Sequence, residues 1–471
     1  MIERTGDNGA NMAQRKSEVA GTFFPGDKDG LAKSVDDLLT HSGALRSYLP
    51  AAPIAVISPH AGYQFSGALT AASWNMTARC RPDRIAILSP SHRVAFRGIA
   101  VPQDHRAVSL PGMRVRLDTI GAERLCQDGH AVAYEAAFAR EHGIDTQLPF
   151  ADVLHPSVRV LPLVIGDAAP HQVAAMIDAV AAMEGETLFV LSSDLSHFLT
   201  QDQALAKDRA TCGKIELGMW DKLTGEDACG CRAIAGFLAS RAGAGARVLR
   251  MARTTSFAAT QDASRVVGYG SWGLFPAAAD VLPGDLRHVL TDVARKALKS
   301  RLTRGTMPEV RVDSFAVPLR TVMASFVTLE LDGRLRGCIG SMQAHRALVQ
   351  DVIINAVKAG FEDPRFAPIT AAELGRVVIK VSVLTRPAPL QFENEAGLLA
   401  QMVPGETGLI LQDGARRGTF LPSVWSSLQT PKAFLAQLKR KAGLPEDHWS
   451  DTVKAFAYRA EYFGEVEGAP A

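Results

Sequence analysis

The chain lacks any apolar run long enough to cross a bilayer, which in a helix takes roughly 20 residues, so no membrane-embedded role is expected. It also lacks net charge: 51 lysines and arginines stand against 49 acids, for a formal +2. A broad basic field for gathering nucleic acid is therefore not indicated, although the sum leaves room for a local basic groove. Cysteine is scarce. Six thiols spread over 471 residues make no disulfide framework, and reduced thiols in the cytoplasm are expected. Met1–Lys16 is polar and has no apolar core of the kind a secretory leader carries, so residues 1–15 read as a disordered tail. A P-loop, a Gly-x-Gly-x-x-Gly turn, a Gly-x-Ser-x-Gly elbow and a His-Glu-x-x-His helix are all missing. Common nucleotide, esterase and zincin chemistries thus have no sequence support.

What the chain does have is histidine at the ends of strands. Nine of the twelve histidines precede residue 200, so histidine chemistry belongs to the N-terminal half. Ile54-Ala-Val-Ile-Ser-Pro-His60 is a short buried-type strand that runs into serine and then histidine. Arg84-Ile-Ala-Ile-Leu-Ser-Pro-Ser-His92 and Thr187-Leu-Phe-Val-Leu-Ser-Ser-Asp194-Leu-Ser-His197 repeat the arrangement. Strands alternating with helical segments predict an α/β domain over 16–275, built on a mainly parallel sheet with helices on both faces. Loops at the carboxyl edge of such a sheet are where ligands sit, so three histidines delivered there can converge on one site. The texture changes at a Pro/Ala-rich linker, 276–284. Beyond it, 285–471 predict an α+β domain with a hairpin turning at Asp332-Gly333 and helices over 286–302 and 348–361.

Each candidate has a plainer structural reading. A histidine after a strand can simply cap the next helix; three in the same position also point to a metal site, and imidazole suits iron, zinc or copper. Asp194 can ligate, orient a histidine, or cap a helix. Cys229-Gly-Cys231 lacks the paired spacing of a zinc site, and buried cysteine is usually a small hydrophobe. His142, beside Glu141 and Asp145, can act as acid or base or pair on a helix. Arg336-Gly-Cys338 sets a thiol near a cation, which favours thiolate, or is a glycine-flanked strand turn.

In combination these stretches resemble the Memo family over about 16–275. The resemblance rests on Val19-Ala-Gly-Thr-Phe-Phe-Pro-Gly26, Pro59-His60-Ala-Gly-Tyr63, Ser89-Pro-Ser-His92, Glu141-His142 with Gln147-Leu-Pro149, and Ser192-Ser-Asp194 with His197. It implies a fold like that of the class III extradiol dioxygenases and metal ligands at His60, His92 and Cys229. Asp194 and His197 then match neighbouring site residues, and His142, His197 and Asp194 are the expected catalytic groups. Gly143 and Asp145 depart from the family's usual Ser and Glu, which bears on substrate contacts. The second half resembles the AMMECR-type domain through Leu335-Arg-Gly-Cys-Ile-Gly340, Asp363-Pro-Arg-Phe366 and Leu421-Pro-Ser-Val-Trp425. Tyr63, Gln147, Arg336 and Cys338 are expected around the substrate. A fusion of these two modules resembles the AmmeMemoRadiSam system, which implies a radical-SAM protein as partner. The expected activity is that of a non-haem iron(II) oxidoreductase, with copper or zinc as alternative metals and a small molecule or peptide as substrate. A non-catalytic metal-binding scaffold, a peptide-binding module and a component of an RNA-modification system are the competing readings.

Overall fold

The computed structural model describes residues 13–42, 49 and 51–465. The chain divides into two units: residues up to Gly243 with Val248–Phe275, and Ala244–Arg247 with everything from Pro276 onward.

The first unit runs β1 (Gln14–Lys16), α1 (Lys28–Ser42), β2 (Ala55–Ser58), α2 (Tyr63–Met76), β3 (Arg84–Pro90), β4 (Ile99–Val101), β5 (Ala107–Leu110) and β6 (Met113–Arg116). Next come α3 (Thr119–Gln127), β7 (Val132–Ala133), α4 (His142–Asp145), α5 (Leu148–Leu154), β8 (Arg159–Ile165), α6 (Pro170–Ala181), β9 (Thr187–Ser192) and β10 (His197–Leu199). It closes with α7 (Gln201–Glu216), α8 (Cys231–Ala239), β11 (Arg247–Thr255), α9 (Phe257–Thr260) and β12 (Val266–Phe275).

Nine of these strands form one sheet in the order β10-β12-β2-β9-β3-β8-β4-β7, with β11 also pairing β12. Its centre, β2-β9-β3-β8, is parallel. The strands outside it are not: β12 runs antiparallel to β2, β10 to β12, and β4 to β8. The sheet is therefore mixed rather than mainly parallel. A strand buried on both faces, such as Val266–Phe275, reads as a continuous apolar run in either direction, so the sequence pattern cannot report its sense. Ile57, Leu88, Leu163 and Leu191 of the central strands join Ile177 of α6 and Phe237 of α8 in one core cluster. Helix α2, backed by α1, packs on β2 and β12. Gln14 and Arg15, expected to be tail, instead pair in parallel with Ala107 and Val108 of β5; residues 1–12 of that tail lie outside the described residues.

This topology positions the site. Strand β9 lies between β2 and β3, all three parallel, so the segments leaving their carboxyl ends emerge side by side. They carry His60, Asp194 and His92, each two residues beyond its strand.

The second unit contains α10 (Gly284–Arg304), β13 (Ala324–Leu331), β14 (Arg334–Gly340), α11 (Leu348–Phe361), α12 (Ala371–Leu374), β15 (Val378–Leu384), β16 (Ala388–Pro389) and α13 (Glu395–Leu399). It ends with β17 (Gly408–Asp413), β18 (Arg416–Phe420), α14 (Pro431–Lys441), β19 (Lys454–Tyr458) and β20 (Ala460–Gly464). Two four-stranded sheets result, β14-β13-β15-β20 and β16-β19-β17-β18. The β13–β14 hairpin turns at Asp332 and Gly333, both at positive φ (51° and 72°), as a tight primed turn requires. Within the segment 276–284, Val281 and Leu282 are fully buried, and their amides donate to the Glu461 carboxylate at 3.1 and 3.2 Å. No helix among the described residues is long and apolar enough to cross a membrane.

Candidate metal centre

His60 is buried, and its surroundings fix its tautomer. The Ser192 hydroxyl has one proton and donates it to the Gly143 carbonyl at 2.6 Å. Its oxygen, 2.8 Å from His60 Nδ1, can then only accept, so Nδ1 carries the imidazole proton. Nε2 is left with its lone pair and faces the Cys229 sulfur at 3.3 Å. His92 is oriented by the same device. Its Nδ1 lies 2.7 Å from Glu141 Oε1 and its backbone amide donates to Oε2 at 2.9 Å, leaving Nε2 free. Two imidazoles, each held at Nδ1 by an oxygen and presenting Nε2, form an arrangement typical of metal-binding histidine.

Cys229 comes from the loop just before α8, which begins at Cys231. Its sulfur accepts the Asp194 amide at 3.2 Å. Ligand atoms of His60, His92 and Cys229 lie within 4.8 Å of one another, and a second such set, His92, Glu141 and His142, shares His92. Cys231 belongs to neither set; it is buried in the first turn of α8. Spacing alone could not separate these two cysteines.

The electrostatics are those of a cluster without a cation. Burial drives the His60 imidazole well below its ordinary range, with neighbouring His92 and His142 adding to the effect. Burial likewise pushes the Cys229 thiol well up, and Asp194 reinforces it. Asp194 itself is raised to about 7 by burial, against the amides of His60 and Ala61 that favour its ionised form. His60, Cys229 and Asp194 thus stay neutral most easily in the absence of a positive ion, whereas His92 lowers Glu141 against its burial. A divalent cation would reverse that preference for the thiol and the carboxyl together.

His142 completes a ring cluster. It lies 4.2 Å from the His92 ring and stacks on Phe23 at 4.5 Å. Its Nδ1 is buried with no hydrogen-bond partner, 3.9 Å from Glu141 Oε1, and burial lowers the imidazole to about 4. His197 is not in the close donor set; it is exposed, with Nδ1 on the Leu195 carbonyl at 2.8 Å. The third histidine of the strand-end pattern is thus replaced in the cluster by Cys229.

Tyr63 and Gln147 hold the scaffold instead of lining open space. Tyr63 donates to the Thr146 carbonyl at 2.8 Å, and Gln147 joins Trp74 Nε1 to the Pro59 carbonyl at 2.8 and 2.9 Å. Gly143 and Asp145 prove to be packing positions too. A Cβ on Gly143 would stand 2.1 Å from Ser89 Oγ, and the buried Asp145 pairs with Arg15 (Nη1 at 3.0 Å). Arg336 and Cys338 belong to the second unit. Arg336 engages Glu373 at 2.8 Å, whereas Cys338 accepts from Thr328 at 3.2 Å. The arginine therefore serves a carboxylate and not the thiol. Ser192, Glu141 and Phe23 are the site residues that sequence reasoning left without an assigned role. Glu141, directly before His142 and on the same motif, was the one with a readable signal.

Two histidines and a cysteine at the carboxyl edge of an α/β sheet define a candidate metal-binding protein. The family model of Memo-like proteins matches residues 15–272, more than half of the chain, and that of AMMECR1 matches 291–463. The chain belongs to the Memo-like family and carries an AMMECR1 domain after it. A protein of Methanothermobacter thermautotrophicus is 35% identical over 190 residues, 39% of this chain and 96% of its own. A MEMO1 family protein of Methanobrevibacter smithii is 32% identical over 219 residues, covering 43% and 76%. Among solved structures, the uncharacterized protein PH0010 of Pyrococcus horikoshii is 34% identical, covering 38% of this chain and 90% of its own, with a TM-score of 0.35.

Proposed function

We propose that the Memo-type half holds one iron(II) on His60, His92 and Cys229 and is an oxidoreductase of the extradiol-dioxygenase kind. The observation that carries the reading is the convergence of three donor atoms within 4.8 Å, with both imidazoles anchored through Nδ1. The donor set fits a metal on chemical grounds, since the His60 lone pair already meets a thiol proton where a cation would sit. His60, His92 and Cys229 would hold the metal, which would supply redox chemistry on a substrate and an oxidant. Copper and zinc accept the same donors, so metal analysis decides among them.

The chain's own residues do the rest. Ser192 and Glu141 fix the ring orientations. Phe23 covers one face of His142 and keeps water from it. In this reading His142 takes a proton from a substrate hydroxyl. Asp194 holds the His60 amide at 2.9 Å and fixes the loop that carries it. His197, at the exposed rim, is available for proton exchange with solvent. A radical-SAM protein is the partner in this reading, and a small molecule or peptide the substrate.

Protein purified without oxygen should carry about one iron per chain, in the ferrous state, and take up dioxygen when a substrate is supplied. Retention of metal with no redox turnover would favour a non-catalytic scaffold. Protein that retains no metal under these conditions would overturn the reading.

A further inference from the structure

The second unit holds an arginine, largely withdrawn from solvent, that the chain itself does not satisfy. Arg386 stands between β15 and β16, where the chain leaves one four-stranded sheet and joins the other. Its backbone is fixed on both sides. Thr385 donates its amide to the Arg459 carbonyl at 2.9 Å and accepts the Arg459 amide on its hydroxyl at 2.8 Å, and Ala388 pairs with Ala457. Pro387 adds a locked φ, so the joint has little freedom to swing the side chain elsewhere. A guanidinium carries five N–H groups and a full charge. In Arg386 the Nη1 nitrogen is sealed from solvent with no partner, and no hydrogen bond or ion pair reaches Nε or Nη2 among the described residues. Nε and Nη2 are not sealed.

Other arginines withdrawn from solvent in this unit are matched. Arg247 and Arg287 share Glu461, Arg295 meets Glu465, Arg336 meets Glu373 and Arg346 meets Asp351. Arg459, across the joint from Thr385, has Glu406. For Arg386, burial lowers the guanidinium to about 10 and no acidic side chain offsets the effect, yet the group stays charged at neutral pH. The plain account is a water at the open edge. Water satisfies N–H groups there, but it does not compensate a charge withdrawn from solvent, and it does not reach the sealed nitrogen. An anion supplies the missing charge. Nε and Nη2 form an edge of the guanidinium fork that takes two oxygens of one carboxylate or phosphate.

We propose that Arg386 anchors a binding site for an oxyanion group, carboxylate or phosphate, held side-on by Nε and Nη2. The site is independent of the metal centre, and its test needs no metal. Thermal unfolding of the full chain is followed at constant ionic strength in chloride, acetate and phosphate, beside that of Arg386→Met, and calorimetric titration with acetate and phosphate measures binding directly. In chloride the Met variant should unfold at the parent's temperature or about 2–4 °C above it, because it removes an uncompensated charge at similar volume. At least one of the two oxyanions should raise the parent's midpoint saturably and leave the variant's in place. The variant should bind that anion about 10- to 100-fold more weakly, the worth of a charge-assisted pair of hydrogen bonds. Arg386→Lys keeps the charge without the fork and should recover only part of the binding. Preference for phosphate assigns a phosphorylated ligand, and preference for acetate a carboxylate one. The proposal is overturned if parent and Met variant respond alike to both anions. It is equally overturned if the Met variant unfolds well below the parent and neither anion binds, which would show that the protein itself satisfies the guanidinium.

Discussion

Two buried aspartates, one in each unit, stand beside a cysteine and are driven in opposite directions. Asp194 lies against Cys229, is paired with no lysine or arginine among the described residues, and is raised to about 7 by burial. Asp363 accepts the Cys338 amide at 2.9 Å and the Arg365 guanidinium at 2.8 Å, and the arginine holds it well below the usual carboxylate range. Both carboxylates have little solvent exposure, but Asp194 lies far deeper in the protein, so depth of burial and the Arg365 partner together set the difference. In the second unit the chain supplies its own cations: Arg365 to Asp363, Arg336 to Glu373, Arg247 and Arg287 to Glu461. In the Memo-type centre, among the described residues, no lysine or arginine pairs with His60, Asp194 or Cys229. A buried thiol and a buried carboxyl set against two imidazoles, with no paired lysine or arginine among the described residues, are the physical argument for a metal there.

Removing the anion from the buried Arg247–Glu461–Arg287 cluster of the second unit should cost most. Glu461→Ala leaves Arg247, only 4% exposed at its side chain, without its carboxylate. The expected loss is about 3–5 kcal/mol in urea unfolding, the range for an uncompensated buried charge. A loss below about 1 kcal/mol would mean that the cluster contributes little and the contrast between the units is weak.

On the other side of the comparison, Glu141→Gln should leave the fold intact but loosen His92. Metal affinity is expected to drop about 10- to 100-fold in chelator competition, the usual effect of losing the group behind a histidine ligand. An unchanged affinity would show that Glu141 does not orient a ligand.

The smallest effect concerns acid. Arg336 is the main cause that brings Glu373 from its ordinary 4.5 down to about 2. A depressed carboxylate contributes stability above its unfolded value and loses it as pH falls through the folded one. Arg336→Met should therefore move acid unfolding, followed by far-UV circular dichroism between pH 5 and 2, to higher pH. The cost near neutrality should be no more than about 1 kcal/mol, since the pair is near the surface. An acid transition that stays in place would assign the effect to Thr370, which also donates to Glu373.

Much of this was legible in the chain because strand ends announce themselves. The β-branched runs before His60 and His92 stop at Ser-Pro, and that punctuation places both histidines at one sheet edge. The third histidine misled, because Asp194 and not His197 stands two residues past its strand, the place His60 and His92 occupy. Cys229 was invisible to spacing: it is brought in from a loop 35 residues beyond Asp194, and only the resemblance to Memo proteins singled it out. The roles of Ser192 and Glu141 depend on which imidazole nitrogen each faces, which sequence does not encode locally. Direction of β4 and β12 was hidden for the reason that hides fully buried strands: they have no polar face to read.

The central claim is that Cys229, and not its neighbour Cys231, is the third metal ligand. Iron content and absorption spectra of the full chain and of its Cys229→Ser and Cys231→Ser variants, purified side by side without oxygen and then oxidised, test it directly. Cys229→Ser should lose most of the iron together with the thiolate-to-metal charge-transfer band of the ferric form, while Cys231→Ser keeps both. Equal retention of iron by the two variants would contradict the claim and leave a site built from His60, His92, Asp194 and His197.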